Sequence, residues 1–326
     1  MQNFARLSWW LMVLLQVTAA HAADSLKPGD YRVPLLHQTL QRSYLVRMPP
    51  RANPDQPLPV VISFHGGGAN AENQKWYTRM DETADREGFI AVYPNGSGGI
   101  GGRFLTWNAG NCCGMAALAG IDDIGFTLAM LDDLARRTPV DRSRIYATGL
   151  SNGSMMAYRL AAEAPERIAA VAGVAGAMTL PHFAPALPVA VMHIHSIDDQ
   201  SALYDGGLGL VFQVTNTRAF HAPVDDMLGK WTSHNACPSQ PEVTPSQSGK
   251  KGGPDETHTV TRFAWRPCKD GTEVVLLKLK GPGHVWPGGQ RDYLPQLLGT
   301  ATAVIDANDE MWRFFKRHAR AGENRR

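Results

Sequence analysis

After Val17 the chain has no apolar run of the roughly 18 residues that a bilayer-spanning helix needs, so a helical membrane protein is not expected. A charge excess of one sign is missing too. Lys and Arg number 32 against 30 Asp and Glu, leaving +2, too balanced a surface for a nucleic-acid partner or an anionic membrane. Cysteine is scarce, with four residues in 326, and neither C-x-x-C nor a Cys/His set at zinc spacing occurs, so no metal is expected. No internal repeat is visible, and no Ser/Thr/Pro-rich or Gly-rich linker sets off an appended module. What remains is 44% hydrophobic residues over a length that can bury one large core, which favours one domain.

The chain opens with Arg6, an apolar run from Leu7 to Val17, and small residues ending in Ala20-His21-Ala22. This is the pattern of a secretory signal peptide over residues 1–22, leaving 23–326 as a single domain, secreted or periplasmic. Export makes the cysteines disulfide candidates. Cys237 and Cys268 bracket a polar stretch, "PSQPEVTPSQSGKKGGPDETH", and are expected to pair across it. The adjacent Cys112 and Cys113 leave three options open: a vicinal disulfide, a cross-link to elsewhere, or two buried thiols.

Two short strands around a turn are expected in "GDYRVPLLHQTLQRSYLVRMP". Strand then alternates with helix. "PVVISFHG", "FIAVYP", "RIYATGLS", "IAAVAGVAG", "PVAVMHIHS" and "EVVLLKLKG" are short runs rich in Val, Ile and Leu, suited to strands buried on both faces. "DDIGFTLAMLDDLARR" is the clearest helix, with Ile124, Leu128, Leu131 and Ala135 at helical spacing behind an Asp cap. Another helix follows Ser151 and closes before Pro165, and "DANDEMWRFFKRHA" forms the last. Such alternation implies a doubly wound, mostly parallel sheet. An excursion over about residues 204–268, holding a helix in "PVDDMLGKWTSHNAC", breaks the rhythm and is expected to shape a cleft.

"YATGLSNGSMMAY" carries G-x-S-x-G, a pattern common by chance. Here its serine, Ser151, leaves a strand and enters a helix, with Gly149 and Gly153 making room for the sharp turn that lifts the hydroxyl out of the sheet. The N–H of Asn152 then sits at a helix N-terminus, where an oxyanion is favoured. A serine nucleophile needs an imidazole base and a carboxylate to orient it. In the α/β-hydrolase order these follow as Ser, Asp, His. "IDDQ" supplies Asp198 and Asp199 after one strand, and "PGHVWPGG" supplies His284 after the next. The other ten histidines are set aside: His182 and His221 have no strand feeding them, and the pair His193 and His195 reads as a hydrogen-bonded core element. "FHGGGAN" follows the first parallel strand and offers a second oxyanion donor, Gly67 first and Gly66 next.

"SFHGGGANAENQ", "VYPNG", "WNAGNCCG", "IDDIGF", "RIYATGLSNGSMMAYRLA", "HIHSIDDQSALYDGG" and "PGHVWPGG" together resemble the secreted polyhydroxybutyrate depolymerase-like and feruloyl or acetylxylan esterases, from about residue 30 to 318. The resemblance implies an α/β-hydrolase fold with Ser151 as nucleophile, His284 as base and Asp199 as acid. Asp199 is chosen over Asp198 by the family pattern H-G-T-x-D-P-x-V-P-Y-x-G-G. Ser196, Gln200 and the pair Ala202-Leu203 depart from that pattern beside the acid. Trp107 and Trp286 lie in family blocks and are expected to line the substrate cleft. The implied activity is hydrolysis of carboxylic esters, feruloyl or acetyl groups on plant polysaccharide fragments first, with no cofactor. The alternatives are a polyhydroxybutyrate oligomer depolymerase and an acyltransferase on the same fold.

Overall fold

Runs of Val, Ile and Leu form strands here because β-branched and large apolar side chains suit a pleated surface buried on both faces. The computed structural model describes residues 25–53, 55–212 and 217–320, so the expected leader at 1–22 lies outside the described residues. The strands are β1 (Gly29–His37), β2 (Leu40–Met48), β3 (Leu58–Phe64), β4 (Ile90–Pro94), β5 (Val140–Leu150), β6 (Ala170–Val174) and β7 (Ala190–Ser196). They continue with β8 (Gly207–Phe212), β9 (Thr217–His221), β10 (Glu242–Val243), β11 (Gln247–Ser248), β12 (Thr259–Trp265) and β13 (Val274–Lys280). One sheet runs in the order β1-β2-β4-β3-β5-β6-β7-β13-β12-β10, with β11 also on β12. Its middle, from β4 to β13, is parallel throughout. The edges are antiparallel. This is the α/β-hydrolase fold.

Each central strand feeds two cores, as a period of two requires. Val60, Ile62 and Phe64 of β3 pack on one face and Val61 on the other; in β7, Val191 goes to the first and Ala190, Met192 and Ile194 to the second. The helices are α1 (Ala71–Thr78), α2 (Met80–Glu87), α3 (Gly114–Leu118), α4 (Asp123–Arg137), α5 (Asn152–Glu163), α6 (Val224–His234), α7 (Pro295–Leu298) and α8 (Ala307–Phe315). Side chains of α4, α5 and α6 cover the first face, and those of α1, α2 and α8 the second. Asp122 caps α4 and Asp306 caps α8, each accepting from a backbone N–H of the first turn.

The structure corrects two expectations about the elements. The buried face of α4 is centred on Phe126, Met130 and Leu134, while Ile124 and Leu128 sit half-buried at its margin. A helix with apolar residues around much of its girth allows more than one stripe, and the strand beneath selects among them. The excursion is also more than a cleft wall. β8 and β9 form a separate hairpin, but β12 pairs antiparallel with β13 from Thr259↔Lys280 to Trp265↔Val274 and so extends the main sheet. Only Val260 and Ala264 of β12 are fully buried, too thin a pattern to separate it from the polar loop before it.

Cys237, just after α6, is bridged to Cys268, just after β12; Cys112 and Cys113 are paired with each other. The first bridge closes a segment of sequence separation 31, so its removal is expected to cost about 3 to 4 kcal/mol in the chain-entropy model. Urea unfolding of Cys237→Ala/Cys268→Ala against the parent measures this, and peptide mapping without reduction should recover the two residues in one fragment.

Candidate active site

Parallel strands bring loops together because their carboxyl ends share one edge. Leu150 of β5 pairs with Val174 of β6, Val174 with Ile194 of β7, and Ile194 with Leu277 of β13. Ser151, Asp199 and His284 lie beyond that row, on the segments that follow β5, β7 and β13. Strand register therefore places all three at one edge of the sheet.

Ser151 occupies a backbone conformation rare for a residue with a side chain, φ 56° and ψ −122°. Two bonds hold it there: its N–H donates to the Val174 carbonyl at 2.8 Å, and its carbonyl accepts from Met155 N at 3.1 Å as α5 begins. The hydroxyl makes no capping bond to the helix. The turn is so tight that a Cβ at Gly153 would overlap the Phe64 carbonyl, and one at Gly149 would overlap Gly153 itself. Both positions need glycine for space.

The loop after β3 closes on this turn. His65 is buried, accepts from Gly96 N at Nε2 (2.9 Å), and so carries its proton on Nδ1, which donates to the Gly66 carbonyl at 2.8 Å. Burial lowers the His65 pKa to about 4 and keeps the ring neutral. A Cβ on Gly66 would lie 3.7 Å from Ser151 Cβ, which sets Gly66 beside the serine. On the other side, the Asn152 side chain accepts from Trp107 N (2.7 Å) and donates to Trp107 O (3.1 Å). That loop is held in turn by Asp123, which accepts from Asn108 N and pairs with the buried Arg42 at 2.7 Å. Asp123 read in the sequence only as part of a helix start.

Asp199 has four donors around it. Ser201 N and Ala202 N reach Oδ1 at 2.8 and 2.9 Å, His284 Nδ1 reaches Oδ2 at 2.7 Å, and His195 Nε2 lies 3.4 Å from Oδ2. Burial alone would raise this carboxyl, but the charge of His284 and the bonds from His195 and His284 overcome it and hold Asp199 well below the usual carboxylate range. Asp198 is exposed and accepts from Gly281 N instead. The structure thus brings Asp199 and His284 together and turns Asp198 away. Among the described residues no hydrogen bond joins Ser151 to His284, a contact that in unliganded sites often closes only with substrate.

Trp107 and Trp286 are corrected. Both rings are sealed in the core, at 0% and 1% exposure, with their N–H groups bonded to His65 O and Asn308 Oδ1, so neither presents a face to substrate. Trp107 packs against Phe64 and His65 in one core, and Trp286 lies in the other, its backbone N–H donating to the Tyr77 hydroxyl. His221 was set aside as a loop residue but ends β9, is buried, and interacts electrostatically with His284 and Asp199. Burial, with His284 adding to it, lowers its pKa to about 4, and its Nδ1 has no partner among the described residues. Its signal was an alternating Phe-His end to a short strand, too weak to read alone. No group of three or more His, Cys, Asp or Glu side chains that could hold a metal ion, and no helix long and apolar enough to cross a membrane, is present among the described residues.

Residues 42–221 match the family model described as esterase PHB depolymerase. The bifunctional acetylxylan esterase/xylanase of Neocallimastix patriciarum is 26% identical over 78% of this chain and 32% of its own length. Feruloyl esterase B of Piromyces equi is 26% identical over 76% of this chain and 44% of its own. This chain therefore spans less than half the length of both relatives. Among solved structures, the acetyl xylan esterase from Aspergillus awamori superposes with a TM-score of 0.50 at 13% identity, covering 88% of this chain and 99% of that one, a likeness of fold.

The crowding at the turn yields a direct test. Gly153→Ala is expected to cost about 1 to 3 kcal/mol by overpacking, measured by thermal or urea unfolding against the parent.

Proposed function

Since the chain belongs to the esterase PHB depolymerase family, we propose that it hydrolyses carboxylic esters through an acyl-enzyme formed on Ser151. The observation that carries this reading is the buried Asp199–His284 pair at 2.7 Å, on loops that leave the same sheet edge as the strained strand-to-helix turn holding Ser151. With Asp199 on Nδ1, the His284 Nε2 is left to take the Ser151 proton as the oxygen attacks the ester carbonyl. The N–H groups of Asn152 and Gly67 stabilise the oxyanion at the N-terminus of α5. His284 then gives its proton to the leaving alcohol, and next takes one from the water that releases the acid and frees Ser151. The ionised Asp199 supports the imidazolium at each step without taking the proton itself.

Relatives described as acetylxylan and feruloyl esterases favour acetyl or feruloyl groups on plant polysaccharide fragments as the acyl and alcohol partners. The family description favours a second reading, short hydroxybutyrate oligomers. Both are small-molecule or oligomeric esters, and transfer to an acceptor alcohol uses the same intermediate. The bridge between Cys237 and Cys268 supports an oxidising, extracytoplasmic location.

Ser151→Ala is expected to lose on the order of 10⁶ in kcat on a soluble ester, with circular dichroism unchanged. Asp199→Asn should lose on the order of 10⁴, and Asp198→Asn less than about tenfold. A tenth of parental activity in Ser151→Ala, or the reverse ranking of the two aspartates, would overturn the assignment. For the substrate, initial rates on methyl ferulate, acetylated xylan and hydroxybutyrate dimers are compared, with methanol added to score transfer against hydrolysis. The feruloyl or acetyl ester is expected to give the highest kcat/KM, and a preference for the dimers would favour the second reading.

A further inference from the structure

Behind Asp199 runs a line of buried polar groups that ester hydrolysis as described does not use. His195 Nε2 lies 2.8 Å from the Ala202 carbonyl and 3.4 Å from Asp199 Oδ2; its Nδ1 lies 2.9 Å from His193 Nε2. His193 Nδ1 lies 2.9 Å from the hydroxyl of Tyr158, which is also 3.0 Å from the Met192 carbonyl. Tyr158, His193, His195 and Asp199 are each 0 or 1% exposed. We propose that Tyr158, His193 and His195 are positioning residues that fix Asp199, and through it His284, relative to the helix that Ser151 begins. The proposal rests on the reading of Asp199 and His284 as the acid and base.

The proton positions follow from the partners. His195 Nε2 faces only acceptors, the Ala202 carbonyl and the Asp199 carboxylate, so it bears a proton. If the ring carries that one proton, Nδ1 accepts and His193 Nε2 donates to it at 2.9 Å. Burial, reinforced by His195, drives the His193 pKa well down, so that ring is neutral, and its Nδ1 shares the single Tyr158 hydroxyl proton with the Met192 carbonyl. Every bond then runs one way, from Tyr158 towards Asp199. The line also links elements: Tyr158 stands on α5, His193 and His195 on β7, and Asp199 on the loop after β7. Room for it is made on β6, where a Cβ at Gly173 would strike the Tyr158 ring.

Three polar side chains in a core lose hydration, and an apolar trio of like volume would fill the same space without needing partners. What an apolar trio lacks is a donor aimed at the carboxylate. That donor sets which way Asp199 faces, and it draws part of the carboxylate charge away from His284. The other ionisable groups nearby are His221 on β9, Asp198 in the acid loop, Lys278 of β13 over the Tyr204 ring, and Asp225, which accepts from Tyr204.

The test is the pH profile of kcat/KM on a soluble ester, with Asp199→Asn as the reference. His195→Leu is expected to lower kcat about 10- to 100-fold at nearly unchanged KM. Its acid limb should move to higher pH, because a carboxylate relieved of one donor holds the imidazolium proton more tightly. His195→Gln, whose amide can still donate to the Ala202 carbonyl and Asp199, should recover most of the rate. Tyr158→Phe should lower kcat about 3- to 10-fold in the same direction. Should His195→Leu not fold, Tyr158→Phe and His195→Gln decide. If Asp199→Asn is inactive while these variants keep the parental profile, or lose only thermal stability, the positioning role is overturned and the acid assignment stands. If Asp199→Asn is itself active, the acid assignment falls first.

Discussion

A carboxylate shut away from water keeps its charge only if donors surround it, and the protein around Asp199 is arranged to supply them. Two come from the backbone of its own loop, one from β7, the strand that leads into that loop, and one from the loop after β13. Each demands something of the fold. The backbone donors require the loop to turn back at Ser201 and Ala202. The His284 donor requires β13 to lie directly beside β7 and parallel to it, so that both loops leave by the same edge. Antiparallel pairing there would put the imidazole at the opposite end of the sheet.

The serine turn is paid for by the same sheet. A residue at positive φ is disfavoured by a few kcal/mol at most, and here the cost is offset by the Val174 and Met155 bonds and by the burial of nearly the whole of α5. Gly149 and Gly153 are consequences of that closeness: strand and helix approach until no Cβ fits between them. Strain in this turn and order in the helix are therefore one feature seen twice.

Bracing from the outer strands reaches the site through side chains. Arg42 on β2 pairs with Asp123 at the head of α4, Asp123 holds Asn108, and Trp107 exchanges two bonds with Asn152. Removing water from an ion pair is costly, and the buried Arg42–Asp123 pair is offset by its hydrogen bonds to the loop and by the Phe126 ring beneath the guanidinium at 3.9 Å. The paired cysteines 112 and 113 lie in that same loop, between Asn108 and α3. Side-chain bonds thus tie a segment without regular structure to β2, α4 and α5.

Much of this was legible along the chain because it depends on neighbours in sequence. Apolar runs marked the central strands, the spacing of Gly149, Ser151 and Gly153 marked the turn, and Asp199 and His284 followed strands that could be read locally. The strand β12 was not legible, since two buried residues in seven carry no pattern until β13 lies beside them. The buried face of α4, the sealing of Trp107 and Trp286, and the arrival of His221 within electrostatic reach of His284 were likewise decided in three dimensions. Composition and periodicity report what a residue prefers within a few positions of itself. Which side chain of a wide apolar helix faces inward, and whether an aromatic ring meets substrate or core, depends on partners distant in sequence, 42 residues from Trp107 to His65 and 209 from Trp286 to Tyr77, and only packing brings those into contact.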